Sequence, residues 1–228
     1  EDELAPKLHA VLLEAHDEGV LHECMREGVI VVLYKKKDPR DPRNYRPITL
    51  LDNDYKIFAK VIAERLKKVV DQIISKQQLG FVPRRCITEA SHLTRLIQAY
   101  LDETDEEGLL IFLDMEKAFD RVSWDYLLDA SDALGFGPRF QSLISLIYNE
   151  HAPPMRTVRT TGATSAPFPI FSGVPQGCPA SPLFFLLITE AFSRLVLDDE
   201  ELEGIKIYSR DTEGEKRFKL EVRISQFA

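Results

Sequence analysis

The stretch Gly108-Leu109-Leu110-Ile111-Phe112-Leu113-Asp114-Met115-Glu116-Lys117-Ala118-Phe119-Asp120 sets the expectation for the fold. An apolar run, Leu109–Leu113, lies unbroken between Gly108 and Asp114. A run this short, opened by glycine, predicts a buried strand rather than a helix. Asp114 then stands at a strand end, where a hard oxygen ligand suits a divalent cation such as Mg²⁺. Phe119, a little further on, is placed to wall a sugar pocket. The plainer reading of the same residues is a turn cap at Asp114 and a core ring at Phe119.

Working outward, Val29–Tyr34 is apolar and β-branched and predicts another buried strand. Asp38-Pro39 and Asp41-Pro42 mark turns after it. Phe58, Val61, Ile62, Val69, Val70 and Ile73 have helical spacing and predict one amphipathic helix over Asp54–Ser75. Shorter helices are expected over Leu4–Leu13 and Glu89–Leu101. Ser123 can cap a helix that Gly135 closes, and Pro138 opens another that ends near Asn149. Ser181-Pro182 is an N-cap followed by proline at the first helical position, for a helix to about Leu197. Strands are expected at Arg156–Thr161, Pro167–Phe171, Ile205–Tyr208 and Phe218–Phe227, the last two joined by a polar turn through Gly214. The class is α+β, with one sheet interrupted by helical excursions.

Composition narrows the function. The sequence has 228 residues, 44% hydrophobic and 29% charged, which is ordinary for a globular protein and excludes disorder for its bulk. A net charge of −8 argues against coating nucleic acid over the whole surface, but leaves room for a local basic groove. Acid gathers at Asp102–Glu107 and Asp198–Glu203. Base gathers at Arg26, Lys35, Lys36, Lys37, Arg40, Arg43 and Arg46. The 3 cysteines are widely spaced, which argues against a disulfide framework or a zinc site and fits a reducing compartment. No apolar run is long enough to span a bilayer. An intracellular place, in cytoplasm or nucleus, is the expectation.

Three further stretches carry candidate chemistry. Ser172-Gly173-Val174-Pro175-Gln176-Gly177-Cys178-Pro179-Ala180-Ser181-Pro182 is a shaped loop whose glycines allow close backbone approach by a ligand, and Gln176 offers an amide. Lys35, Lys36 and Arg46 flank a strand end and can hold phosphates. Gln78-Leu79-Gly80-Phe81-Val82-Pro83-Arg84-Arg85 sets an arginine pair beside an aromatic. Taken singly, these also read as a capped loop, a solvated charge run and a surface turn.

Taken in order, the motifs resemble the reverse transcriptases of non-LTR retrotransposons, the long interspersed element type. The resemblance covers essentially the whole chain. It is most specific over Asn44–Leu51 and Asp54–Leu66 (NYRPITLL…DYKIFAKVIAERL). It implies a right-hand polymerase fold, with about 1–108 mainly fingers, about 109–228 mainly palm with an antiparallel sheet packed on helices, and no thumb. It also implies RNA-directed DNA synthesis on an RNA template and a DNA primer, from deoxynucleoside triphosphates, with two Mg²⁺ ions. By the same resemblance Asp114 is a metal ligand and Phe119 the gate against a ribose 2′-hydroxyl. Lys35, Lys36 and Arg46 meet triphosphate or template, and Gln176 and Gly177 lie near the incoming nucleotide. Pro175, Arg84 and Arg85 lie near nucleic acid. The family often has proline at the place of Tyr34, and glycine at those of Lys37 and Arg84. The chain reads as a fragment that stops before the second catalytic aspartate motif and is therefore inactive alone. Two alternatives remain: a group II intron maturase-type enzyme, and a non-catalytic remnant or domesticated nucleic-acid-binding module.

Overall fold

The computed structural model describes residues 3–210 and 216–226. In chain order it contains α1 (Leu4–Glu18), α2 (Glu23–Arg26), β1 (Glu27–Tyr34), β2 (Tyr45–Leu51), α3 (Asn53–Lys67), α4 (Val70–Ile73), α5 (Ile87–Thr104), α6 (Trp124–Ala133), α7 (Pro138–Ile147), β3 (Met155–Thr160), β4 (Ala163–Thr164), β5 (Phe168–Pro169), α8 (Ser181–Asp198), β6 (Ile205–Arg210) and β7 (Lys216–Val222). Short 3₁₀ turns occupy Pro42–Asn44 and Phe119–Arg121. The fold is α+β. Contacts divide the chain into one unit of residues 1–66 and 117–185 and a second of residues 67–116 and 186–228.

The first unit carries a sheet in the order β2-β1-β3-β4, with β5 also on β3; it is mixed rather than the antiparallel sheet expected, because β3 returns to β1 through helical crossovers and runs parallel to it. β1 runs antiparallel to β2, from Gly28 opposite Leu51 to Tyr34 opposite Tyr45, and parallel to β3, from Glu27 opposite Met155. Its Val29-Ile30-Val31-Val32 run suits a pleated, half-buried surface. The Tyr34 and Tyr45 rings meet edge-on, 5.6 Å apart, at one end of the ladder. α3 buries Tyr55, Phe58, Ala59, Ile62, Ala63 and Leu66, the stripe expected at 3.6 residues per turn. Aromatic rings tie α6, α7 and the start of α8 together. Trp124 and Tyr148 stack at 5.3 Å, and Tyr148 and Phe140 each meet Phe184 edge-on. Such pairs add to the stabilisation from burial alone.

The second unit holds the β6–β7 hairpin, with a bulge between Ile207 and Tyr208, and the loop from Ile74 to Cys86. Gln78 is fully buried, and its Nε2 donates to Thr189 Oγ1 at 3.2 Å and to Gln226 Oε1 at 3.3 Å. Gly80 N donates back to Gln78 Oε1 at 3.0 Å. A buried amide this well satisfied fixes the loop in one arrangement.

The capped helices match their sequence signals. Ser123 Oγ accepts from Tyr126 N, Gly135 takes a left-handed φ of 84° past α6, and Pro138 stands in the first turn of α7. Four further expectations need correction. The single helix over Asp54–Ser75 is two, α3 and α4, broken at Lys68–Val69, where consecutive β-branched valines weaken helical preference. α8 begins at Ser181 itself, and among the described residues no helical N–H donates to its buried hydroxyl, so Ser181 does not cap α8. The strand at Phe218–Phe227 ends at Val222; Gln226 then forms an isolated parallel bridge with Gln78, while Gly214 and Phe227 lie outside the described residues.

The fourth correction concerns the opening stretch. Leu109–Leu113 forms no strand and is not buried: Leu109, Ile111, Phe112 and Leu113 are 79%, 71%, 82% and 76% exposed. Its apolar residues favour a strand, but a strand also needs a neighbour to take its N–H and C=O groups. No described strand pairs with it. Asp114 therefore stands on an exposed irregular segment rather than at a strand end.

Candidate nucleotide and nucleic-acid site

The loop from Ser172 to Pro182 is held in the first unit by backbone bonds to three elements. Gly173 N donates to Val122 O at 2.7 Å, and Val174 N to Phe119 O at 2.8 Å. Thr49 N, in the middle of β2, donates to Gln176 O at 2.7 Å. Trp124, buried at the start of α6, donates from Nε1 to Gly173 O at 2.9 Å. Two glycines are obligatory in this seam. A Cβ on Gly173, at φ 87°, would lie 2.8 Å from Asp120 O, and one on Gly177, at φ 129°, would lie 2.3 Å from Thr49 O. Pro175 and Gln176 are left half-exposed between these anchors.

Phe119 is half-buried in the 3₁₀ turn and stacks on Phe185, with centroids 4.9 Å apart and planes 14° from parallel. Its carbonyl accepts from the loop at Val174 N, so the ring and the loop are positioned together. Burial pushes the neighbouring Asp120 carboxyl above the usual aspartate value, against the pull of Lys117. The structure thus joins Phe119, Pro175, Gln176 and Gly177 in one construction.

The basic residues separate into two kinds. Lys35 N donates to Asn44 O at 2.9 Å and closes the loop between β1 and β2. Within it Arg40 is paired with Asp38 at 3.1 Å and Arg43 with Asp41 at 2.9 Å, and each arginine holds its partner's carboxyl below the usual range. Lys35, Lys36 and Arg46 are exposed, and among the described residues they make no ion pair. The Arg84–Arg85 pair also divides. Arg84 is exposed at φ 70°. Arg85 donates to Gln78 O at 2.8 Å, to Ser75 O and to the Asp71 carboxylate, so its guanidinium braces the loop beside α4.

Sequence reasoning missed Thr49 and Trp124 as the loop's anchors. The only local sign was Trp124 directly after a capping serine. Asp114 falls in the second unit, on the irregular exposed segment. Among the described residues no group of three or more His, Cys, Asp or Glu stands where it could hold a metal ion. The described residues therefore do not make a two-ion site by themselves. No described helix is long and apolar enough to cross a membrane. Cys24 and Cys86 are exposed free thiols and Cys178 a buried one.

Residues 34–209 match the family profile for reverse transcriptase (RNA-dependent DNA polymerase), a span that includes every site residue named above. The chain belongs to the reverse transcriptases, of the non-LTR retrotransposon kind. It is 37% identical over 92% of its length to a transposon TX1 uncharacterized 149 kDa protein of Xenopus laevis. It is 32% identical over 71% to a probable RNA-directed DNA polymerase from transposon BS of Drosophila melanogaster. To the RNA-directed DNA polymerase from mobile element jockey of the same fly it is 31% identical over 86%. This reverse-transcriptase domain spans only 16%, 18% and 22% of those three relatives.

Proposed function

We propose that this domain serves RNA-directed DNA synthesis, adding deoxynucleotides to a primer 3′ end on an RNA template. The observation that carries the reading is the seam of Thr49, Phe119 and Trp124 around Pro175-Gln176-Gly177. Two glycines that admit no side chain, and carbonyls fixed by buried donors, describe a loop built to be rigid. A rigid loop that presents an amide beside an aromatic ring suits placing a base and a sugar. In this reading the chain supplies fingers and palm, and Gln176 and Gly177 contact the incoming nucleotide. Phe119 excludes a 2′-hydroxyl by steric overlap. Lys35, Lys36 and Arg46 take phosphates, and Pro175 and Arg84 lie along the nucleic acid. Arg85 acts there chiefly through the loop it braces.

Mg²⁺ is the ion that the family's chemistry calls for, and Asp114 is the residue of this chain we assign to it. One exposed carboxylate is too little to place an ion pair, so the 228-residue chain is expected to show no primer extension. The lack of a carboxylate cluster among the described residues also favours a second reading, a nucleic-acid-binding module without catalysis. The assay is Mg²⁺-dependent extension of a primed RNA template by the longest product of the reading frame. Incorporation that Asp114→Asn abolishes, and that Phe119→Val opens to ribonucleotides, supports the polymerase. Tight template binding with no incorporation puts the binding module first.

A further inference from the structure

A small void lies in the first unit among α2, α3, the end of α7 and β3. Its volume of about 10 Å³ has room for one occupant about the size of water. The polar residues that line it are Arg26, Tyr55, Tyr148 and Arg156; the rest are apolar and none is acidic. Arg156 is 6% exposed, and its Nη1 donates to the carbonyls of Arg26 and Met155, both at 2.8 Å. Arg26 in turn donates from Nε to Leu21 O at 3.0 Å and from Nη1 to Pro153 O at 3.4 Å. Among the described residues neither arginine makes an ion pair. The groups that face the Arg156 guanidinium are Tyr55, Tyr148 and Cys178, and both tyrosines line the void. The Tyr55 hydroxyl donates to Cys178 Sγ at 3.3 Å. The Tyr148 hydroxyl is buried and makes no hydrogen bond of good geometry among the described residues. Burial pushes both phenols well above their usual range, so each keeps its proton.

These groups suit an acceptor. A guanidinium has only donors, and a phenol whose hydrogen is unbonded adds one more. A buried guanidinium stays charged and is ordinarily matched by an anion, and carbonyls solvate it without cancelling its charge. A water in the void would satisfy Tyr148 but leave two cations unmatched. We propose that the void binds one monovalent anion of halide size, such as chloride, held by Arg156 and the Tyr148 hydroxyl with Arg26 beside it. A free carboxylate or phosphate is too large for the space. The anion would sit where α2 passes into β1 and β1 meets β3, since Arg156 holds the Arg26 carbonyl and Glu27 stands opposite Met155. Its effect is on the stability of the sheet that carries Thr49, and it is independent of Asp114 and of catalysis.

The test is thermal unfolding of the 228-residue chain at one ionic strength, in sodium chloride against sodium gluconate, whose anion is too large for the void. A site with a Kd of about 20 mM is expected to raise Tm by about 4 °C in about 200 mM chloride. Arg156→Gln would also lose the two carbonyl bonds, so Tyr148→Phe, which removes one hydroxyl and keeps the ring, is the deciding variant. It is expected to lose no stability in gluconate, where that hydroxyl bonds to nothing, and to gain about 1 °C or less from chloride. General effects of each salt act on parent and variant alike and cancel in the comparison. Equal gains in the parent and in Tyr148→Phe overturn the proposal, as does an equal Tm of the parent in the two salts. Long-wavelength diffraction from crystals grown in chloride tells the occupants apart, because chloride scatters anomalously there and water does not. An anomalous peak in the void supports the anion, and a water without one overturns it. None of these readouts needs primer, template, Mg²⁺ or Asp114, so failure of the polymerase reading cannot mimic them.

Discussion

Gly177 shows what single residues contribute to the site. Its φ of 129° and the Thr49 carbonyl, 2.3 Å from where a Cβ would stand, leave no accommodation without moving backbone. Gly177→Ala is therefore expected to cost more than about 2 kcal/mol, read from urea unfolding, because strain and lost seam bonds add. Gly162→Ala is the control. It is left-handed too, at φ 85°, but nothing lies within 4 Å of its Cβ position, so it should cost about 1 kcal/mol. Equal losses at the two positions would remove the seam from the account. The sequence flagged the loop because glycines and prolines are local signals. It could not name Thr49, whose contact is made across most of the chain. Lys37 and Arg84 are a different lesson. The family resemblance has glycine at both, and both hold left-handed backbone here, at φ 74° and 70°. The conformation is kept although the residue that makes it easy is not.

At the scale of elements, what is locally encoded was legible and what needs a partner was not. Caps and first-turn prolines located α6 and α7, since each is decided within a turn of chain. Helical spacing found the buried face of α3 but not the break before α4, because Val70 continues the apolar stripe across it. Leu109–Leu113 carries strand propensity, yet among the described strands none pairs with it. This difference is measurable. Ile111 is 71% exposed, so Ile111→Lys is expected to cost less than about 0.5 kcal/mol and to lower aggregation in light scattering. Were the run the buried strand that its composition suggests, losing the isoleucine would cost about 2–5 kcal/mol. A large loss in thermal or urea unfolding would therefore restore the buried strand and sink the exposed one.

For the whole molecule the question is how a chain of net charge −8 would meet the polyanion that the proposed function requires. The mean charge describes the surface poorly, because cations are sorted by whether they already have a partner. Arg40 and Arg43 point to solvent, yet each is neutralised by the aspartate two residues before it. Lys35, Lys36 and Arg46 in the same region keep their charge uncompensated among the described residues. Only uncompensated cations release counterions when they meet phosphate, and that release sets the salt dependence of binding. In a salt series with single-stranded RNA, Arg46→Ala is expected to lower the log–log slope by about 0.7 and to weaken binding at low salt. Arg40→Ala removes the same formal charge from the adjoining loop between β1 and β2 but frees Asp38. It is expected to weaken binding through the exposed carboxylate while changing the slope by much less than Arg46→Ala. If the two variants shift the slope equally, pairing within the loop does not select the phosphate contacts, and net charge alone governs the interface.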